Sequence, residues 1–339
     1  MNLSTLWKPA VYHGDGKRPP YFEGWYFKLI DAAGARRYAI IPGIFKHADP
    51  TQAHAFVQIL DGAAGTSIYK RYPADAFHAS ADVFDVRVGP NHFGPDGIVL
   101  DVEHEGQSVR GAVTFAGVTP WPVTRLSPGV MGWYGLVPLM ECYHGVLSFD
   151  HGLAGALDID GTPVGFAGGR GYTEKDWGQA FPRGYIWMQS NHFEPVGTSL
   201  TASVALIPWL WQAFRGFIVG LRHEGALYRF ATYTGARVER LDVTDTHVYW
   251  TMSGVTGPAD RRGRYRLAID AERASGGLLH APDRVAMVER IVESLTASIG
   301  VRLVMLDGKR EREVFAGTGQ FGGLELGGDL STILDGYDS

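Results

Sequence analysis

Two short strings concentrate reactive side chains in this chain. The first runs from Gly168 to Gly178 and reads Gly-Gly-Arg-Gly-Tyr-Thr-Glu-Lys-Asp-Trp-Gly. In an extended conformation Tyr172, Glu174 and Asp176 share one face, while Lys175 and Trp177 share the other. Two carboxylates on one face repel, and burial raises the pKa of at least one of them. A carboxyl kept protonated near neutral pH can act as a general acid. The plainer alternative is an exposed ion-pair ladder with Arg170 and Lys175. The flanking glycines and Trp177 favour a packed site.

The second string, Pro20 to Lys28, places Glu23 and Lys28 in an otherwise aromatic run, with Glu23, Trp25 and Phe27 on one strand face. A carboxylate beside two large aromatics is either desolvated or paired, so a salt bridge at a domain seam is the competing reading. A third string, Trp187 to Phe193, puts Trp187, Gln189, Asn191 and Phe193 on a common face. Amides beside aromatics can orient a polar head group at the end of an apolar pocket. His192 stands alone there, and a lone histidine is more often structural than catalytic.

Other chemistries find little support. The 12 histidines are scattered, and His144 and His151, seven apart, do not make a ligand spacing, so no metal is expected. The glycines at 165–169 lack the strand-turn-helix context of a dinucleotide fingerprint, and no Gly-x-Ser-x-Gly elbow occurs. The chain carries 31 basic and 36 acidic residues, a net charge of −5, which argues against nucleic-acid binding. Its most basic stretch, Arg261-Arg262-Gly263-Arg264, reads as a solvated turn. A single cysteine, Cys142, excludes an internal disulfide and fits a reducing compartment. Residues 1–14 carry no signal-peptide pattern. A cytoplasmic location is expected, with peripheral membrane contact as an option.

The elements that must position these residues are strands. With 45 Gly, 9 Trp, 15 Tyr and 17 Phe in 339 residues, the composition suits β structure with many tight turns. Strand patterns fall at 21–30, 37–45, 55–60, 83–88, 97–104 and 111–115. Further along they fall at 144–150, 154–159, 185–193, 200–207, 216–223, 227–233, 246–252, 264–270, 300–307 and 314–321. Asp160-Gly161 marks a hairpin tip. The apolar stretch 200–221 reads as two strands joined by a turn. Its tip, Pro208 to Trp211, is either a buried turn or an apolar contact with a membrane, as Trp209 and Trp211 would suit. Pro282 to Leu295 carries Val285, Val288, Ile291, Val292 and Leu295 at helical spacing, with Asp283 as a cap, and predicts a helix. The length exceeds one comfortable core. Gly24-Trp25-Tyr26-Phe27-Lys28 is echoed by Gly184-Tyr185-Ile186-Trp187-Met188, 160 positions later. Two related β domains, 1–165 and 166–339, are the expectation.

Taken together, the strings resemble the tocopherol cyclase family. The resemblance rests on residues 21–28, on residues 171–178 with Phe181-Pro182, on residues 187–193, and on Met140-Glu141-Cys142-Tyr143-His144-Gly145, and it runs from about residue 10 to about 330. It implies a mainly β fold of two tandem lipocalin-like barrel or sandwich domains with few short helices. It implies kinship with carotenoid hydratase-like proteins and fungal pericyclases. It also implies a hydrophobic prenyl-lipid ligand and a bacterial-style enzyme, a lyase or isomerase, that closes a prenylated hydroquinone to a chromanol without a cofactor.

Such a reaction protonates an alkene, holds the tertiary cation, and removes the phenol proton while excluding water. On this reading Asp176 or Glu174 is the acid, with Glu23 as the third candidate. Trp25, Trp177 and Trp187 line the cation site, and Gln189 and Asn191 hold the head group. Tyr26, Tyr172 and His192 complete the expected substrate-binding set. A lipid-binding protein without catalysis, or a terpenoid hydratase or pericyclase, is the alternative. The oligomeric state is not encoded in any pattern.

Overall fold

A computed structural model describes residues 5–138, 140–209 and 212–334. It divides into two compact units, residues 1–181 with 277–291, and residues 182–276 with 292–339.

The first unit is built from β1 (Tyr21–Ile30), β2 (Arg37–Lys46), β3 (His54–Asp61), β4 (Thr66–Pro73), β5 (Phe77–Ala79), β6 (Val86–Val88), β7 (Asn91–Gly94), β8 (Gly97–His104), β9 (Gln107–Ala116), β10 (Cys142–Ile159), β11 (Thr162–Gly165) and β12 (Arg170–Gly178). They form one antiparallel sheet in the order β4-β3-β2-β1-β12-β10-β9-β8-β7-β6-β5, with β11 on β10. The second unit is built on β13 (Gly184–Ser190), β14 (Ser199–Trp209), β15 (Gln212–His223), β16 (Ala226–Ala231), β17 (Arg237–Val243), β18 (His247–Thr256) and β19 (Gly263–Glu272), then on β21 (Met287–Asp307) from Val292 onward and β22 (Arg310–Gly328). The sheet order there is β16-β15-β14-β13-β22-β21-β19-β18-β17. Strand β20 (Gly277–Pro282) belongs to the first unit, where Gln58 and Ser67 bond its backbone at His280 and Leu278.

Peripheral strands show the expected alternation. In β8, Ile98, Leu100 and Val102 point inward and Val99, Asp101 and Glu103 outward. In β19, Tyr265, Leu267, Ile269 and Ala271 are buried, and Arg264, Arg266, Asp270 and Glu272 face the other way. Each sheet wraps its own core, one around Trp25, Phe27 and Phe93, the other around Phe217, Trp250 and Leu267. The central strands differ. β1 and β13 are buried on both faces almost throughout, so polar side chains there must find partners inside the protein.

Two expectations change. Residues 282–295 are not helical. Asp283 does cap, since its Oδ1 accepts from Val285 N and Ala286 N at 2.6 Å, but it closes the turn from β20 into β21. From Ile291 on, alternate residues through Leu295, Ala297, Ile299, Val301 and Leu303 are buried, the period of a strand. A run of β-branched residues favours that state. Likewise 144–150 and 154–159 are one strand, β10, of 18 residues. It shifts register against β12 between Val146 and Ser148 and again between Ser148 and His151, so bulges absorb what reads as a break. Among the described residues the only α-helix is Ser331–Leu334. The Trp209 tip is described and 40% exposed, while Trp211 lies outside the described residues.

Candidate active site

Antiparallel pairing at the centre of the first sheet sets the site. β12 lies between β1 and β10, with Tyr26 opposite Glu174, Lys28 opposite Tyr172, and His144 opposite Asp176. Directly opposed residues project to the same side. One face therefore gathers Tyr26, Lys28, Tyr172, Glu174, Asp176 and His144. The other face pairs Glu23 with Trp177 and Trp25 with Lys175.

On the first face an imidazole stands between two carboxylates. His144 Nδ1 lies 2.9 Å from Asp176 Oδ1, and its Nε2 lies 3.7 Å from Glu174 Oε2. The Tyr172 hydroxyl donates to Glu174 Oε2 at 2.5 Å. Burial would lower the His144 pKa, but the charges of Asp176 and Glu174 overcome it and raise the group to about 9. The proton at neutral pH therefore rests on the imidazole. The four side chains form a line, Asp176–His144–Glu174–Tyr172, hydrogen-bonded at both ends and joined by an ion pair of 3.7 Å at its centre, able to give and receive a proton. The ligand atoms of His144, Glu174 and Asp176 lie within 4.8 Å of one another, close enough for a metal. The ring turns a different nitrogen to each carboxylate, and an imidazolium meets the charge of both acids.

On the second face Glu23 and Lys175 form a fully buried ion pair at 2.5 Å. Glu23 also accepts from the backbone N–H of His13, at 2.9 and 3.0 Å to its two oxygens, and from the Tyr21 hydroxyl. Lys175 donates to His13 Nδ1 at 2.7 Å, to Pro9 O at 3.2 Å and to Val11 O. Its ammonium sits 4.7 Å from the Trp25 ring centre and 4.6 Å from that of Trp177. Burial pulls Lys175 down to about 8 against the attraction of Glu23. Burial would raise Glu23, but Lys175 and His13 hold it below the usual carboxylate range. Glu23 is thus an ionised partner. The cation held by Trp25 and Trp177 is one of the protein's own.

The ion-pair ladder does not form. Arg170 pairs with Asp150, at 3.0 Å from Nε and 2.8 Å from Nη2, and Lys175 pairs with Glu23. Trp187 and Gln189 lie on β13, in the second unit, with Asn191 and His192 just after it. Gln189 and Asn191 are fully buried. His192 lies next to Asn191, Nδ1 to Oδ1 at 3.1 Å, with its ring edge-on to Phe321.

Three participants were not singled out by sequence reasoning. His144 lies inside the 140–145 string but was weighed only as a metal ligand. Tyr21 and His13 carried no signal as partners of Glu23. A cleft of about 40 Å³ in the first unit is lined by Thr5, Leu6, Pro9, His13, Lys17, Tyr143, His144 and Trp177, together with residues of the 128–135 loop. It has room for one or two waters.

Over 94% of this chain and 77% of its own length, the protein named "Probable tocopherol cyclase, chloroplastic" from Oryza sativa subsp. japonica is 23% identical. A chloroplastic tocopherol cyclase from Zea mays is 27% identical over 58% of this chain and 41% of its own length. The crystal structure of CghA with Sch210972 superposes with a TM-score of 0.52 at 13% identity, over 92% of this chain and 89% of that one. A Nitrosomonas europaea protein assigned to AttH superposes at 0.53 and 12% identity, over 94% of each chain. Residues 91–328 match the family described as tocopherol cyclase-like, a span that includes β10, β12 and the whole Asp176–His144–Glu174–Tyr172 line, and the chain belongs to that family.

Proposed function

We propose that this protein is an enzyme that closes a prenylated hydroquinone to a chromanol by proton transfer alone. The observation that carries the reading is His144 held between Asp176 and Glu174 with its pKa raised to about 9. Ring closure places one proton on an alkene carbon and releases one from the phenol oxygen. A relay that both gives and takes a proton returns to its starting state after each turnover and consumes nothing. His144 stores the proton, Glu174 or Asp176 delivers it, and the same line recovers the phenol proton. Glu23, ionised against Lys175, has no proton to give and serves instead to fix β12 to β1 and to the segment at Pro9–His13. Trp187, Gln189, Asn191 and His192, in the second unit, remain the candidates for the prenyl cation and the head group, and Tyr26 and Tyr172 share the Glu174 face in the first.

Hydration is the second reading, favoured by the water-sized cleft that reaches His144. A water admitted to the cation would give an alcohol in place of the ring. Among the described residues no helix is long and apolar enough to cross a membrane, which suits an enzyme that meets its lipid substrate at a surface. Incubating the purified protein with a reduced prenyl hydroquinone and separating the products by chromatography tests the reading. A product of unchanged mass and altered retention is expected. A product heavier by one water would select the hydratase, and an unchanged, bound quinol would select a binding protein.

A further inference from the structure

The same cleft has an unusual rim. Its walls are the segment at residues 5–14 and the loop at 116–138, which meet where Trp7 Nε1 donates to Arg125 O at 3.3 Å and where Leu6 and Pro9 face Gly129 and Gly132 across the opening. Large apolar side chains on these walls point outward. Trp7 is 40% exposed, Leu126 81%, Trp133 48% and Leu136 36%. Scattered surface leucines need no explanation, but two exposed tryptophans and two exposed leucines on the two segments that border one opening, next to its lining residues Leu6, Pro128, Gly132 and Gly135, stand out. The charge on the same segments is one-sided. Residues 5–14 and 116–138 contain Lys8 and Arg125 and not a single Asp or Glu, in a chain whose net charge is −5. Lys8 reaches the carbonyl of exposed Asp82 at 3.2 Å, so acidic groups lie near the rim but outside these segments. Tryptophan rings with basic residues beside them match the interface of an anionic bilayer, where indoles sit at head-group depth and lysine and arginine meet the lipid charge.

We propose that this rim docks the protein onto an anionic lipid surface, with Trp7, Leu126 and Trp133 entering the interface and the His144 cleft opening toward the lipid. The proposal concerns where the protein sits and stands whichever reaction the site performs. It also differs in place from the Trp209 tip of the second unit, the contact that the sequence alone suggests.

The test is co-sedimentation of the full chain with phosphatidylcholine vesicles, with and without phosphatidylglycerol. Phosphatidylglycerol is expected to strengthen binding on the order of tenfold through the two basic side chains, and high salt to reverse that gain. Trp7→Ser with Trp133→Ser is expected to lower partitioning by about tenfold or more, whereas Trp209→Ser leaves it unchanged. An unaltered thermal transition shows that the double variant still folds, and Leu126→Ser alone provides a milder variant if it does not. Failure of the wild-type chain to sediment with either vesicle overturns the proposal. So does loss of binding only in Trp209→Ser. A concentration-dependent dimer that the Trp7/Trp133 variant abolishes, without vesicle binding, also overturns it and assigns the rim to a second copy of the chain.

Discussion

His144 stands directly opposite Asp176 across the β10–β12 pair, with Nδ1 2.9 Å from Oδ1, and the same ring turns Nε2 toward Glu174. The raised pKa of the imidazole is a stability term as well as a chemical one. A group whose folded pKa lies above its unfolded value contributes fully below the unfolded pKa and loses that contribution as pH rises through the folded one. For His144 the window runs from 6.5 to about 9. The wild type should lose about 3 kcal/mol across it relative to His144→Gln. Urea titrations of both proteins at several pH values measure the difference, and parallel curves would contradict it.

Activity should follow the same titration. Above pH 9 the relay has lost its stored proton, so turnover should fall with an apparent pKa near 9, where the His144 imidazolium titrates. His144→Gln keeps the hydrogen bonds in part but cannot store a proton, and should lose on the order of 100-fold or more in kcat. A full rate–pH profile of the variant that kept the wild-type alkaline limb would assign that limb to another group.

Tyr172→Phe removes the hydroxyl that donates to Glu174 at 2.5 Å. A hydrogen bond to a charged group is worth about 1.5–3 kcal/mol. The variant should fold and turn over roughly ten- to a hundredfold more slowly, with the loss in kcat rather than in KM, because the hydroxyl acts through Glu174.

Lys175→Met strands the buried Glu23 carboxylate. Breaking a buried pair by removing one partner costs about 3–5 kcal/mol, read as a lower urea midpoint. Lys175 also bonds the Pro9 and Val11 carbonyls, so residues 5–14 should become sensitive to limited proteolysis. Adding Glu23→Leu should recover much of the stability, since no charge is then left buried. In the wild type Glu23 titrates below its ordinary value of 4.5. Its contribution is therefore fully present above that pH and is lost as pH falls through the depressed value.

Removal of metal should change nothing. His144 offers one nitrogen to each carboxylate, and its proton fills the place a cation would take. Dialysis against a chelator should leave turnover intact, and restoration of a lost activity by zinc or manganese would convert the cluster into a metal centre.

Period-two alternation was enough to place Glu174 and Asp176 on one face with Tyr172, and Lys175 and Trp177 on the other, before any fold was known. It could not show which strand lies alongside. His144 and Asp176 are 32 residues apart, and Glu23 and Lys175 are separated by most of the first sheet's sequence. Pairing across such distances follows from the topology of the whole sheet, which local patterns do not carry. The segment at 282–295 misled for a related reason. Val285, Val288 and Val292 fit a helix within that window, and the alternation that rules appears only when the buried Glu293 and the residues past Leu295 are included. His13 had no signal at all, because both its backbone N–H, presented to Glu23, and its ring, which meets Lys175, act through contacts that only the fold creates.

The most direct measurement is turnover in heavy water without cofactor, comparing the wild type with Glu174→Gln/Asp176→Asn. A proton relay that initiates cyclisation predicts a chromanol from the wild type with a single deuterium on the carbon next to the new C–O bond, and no product from the folded double variant. Chromanol formed without deuterium, or undiminished turnover by the double variant, would contradict the assignment of the acid to this cluster.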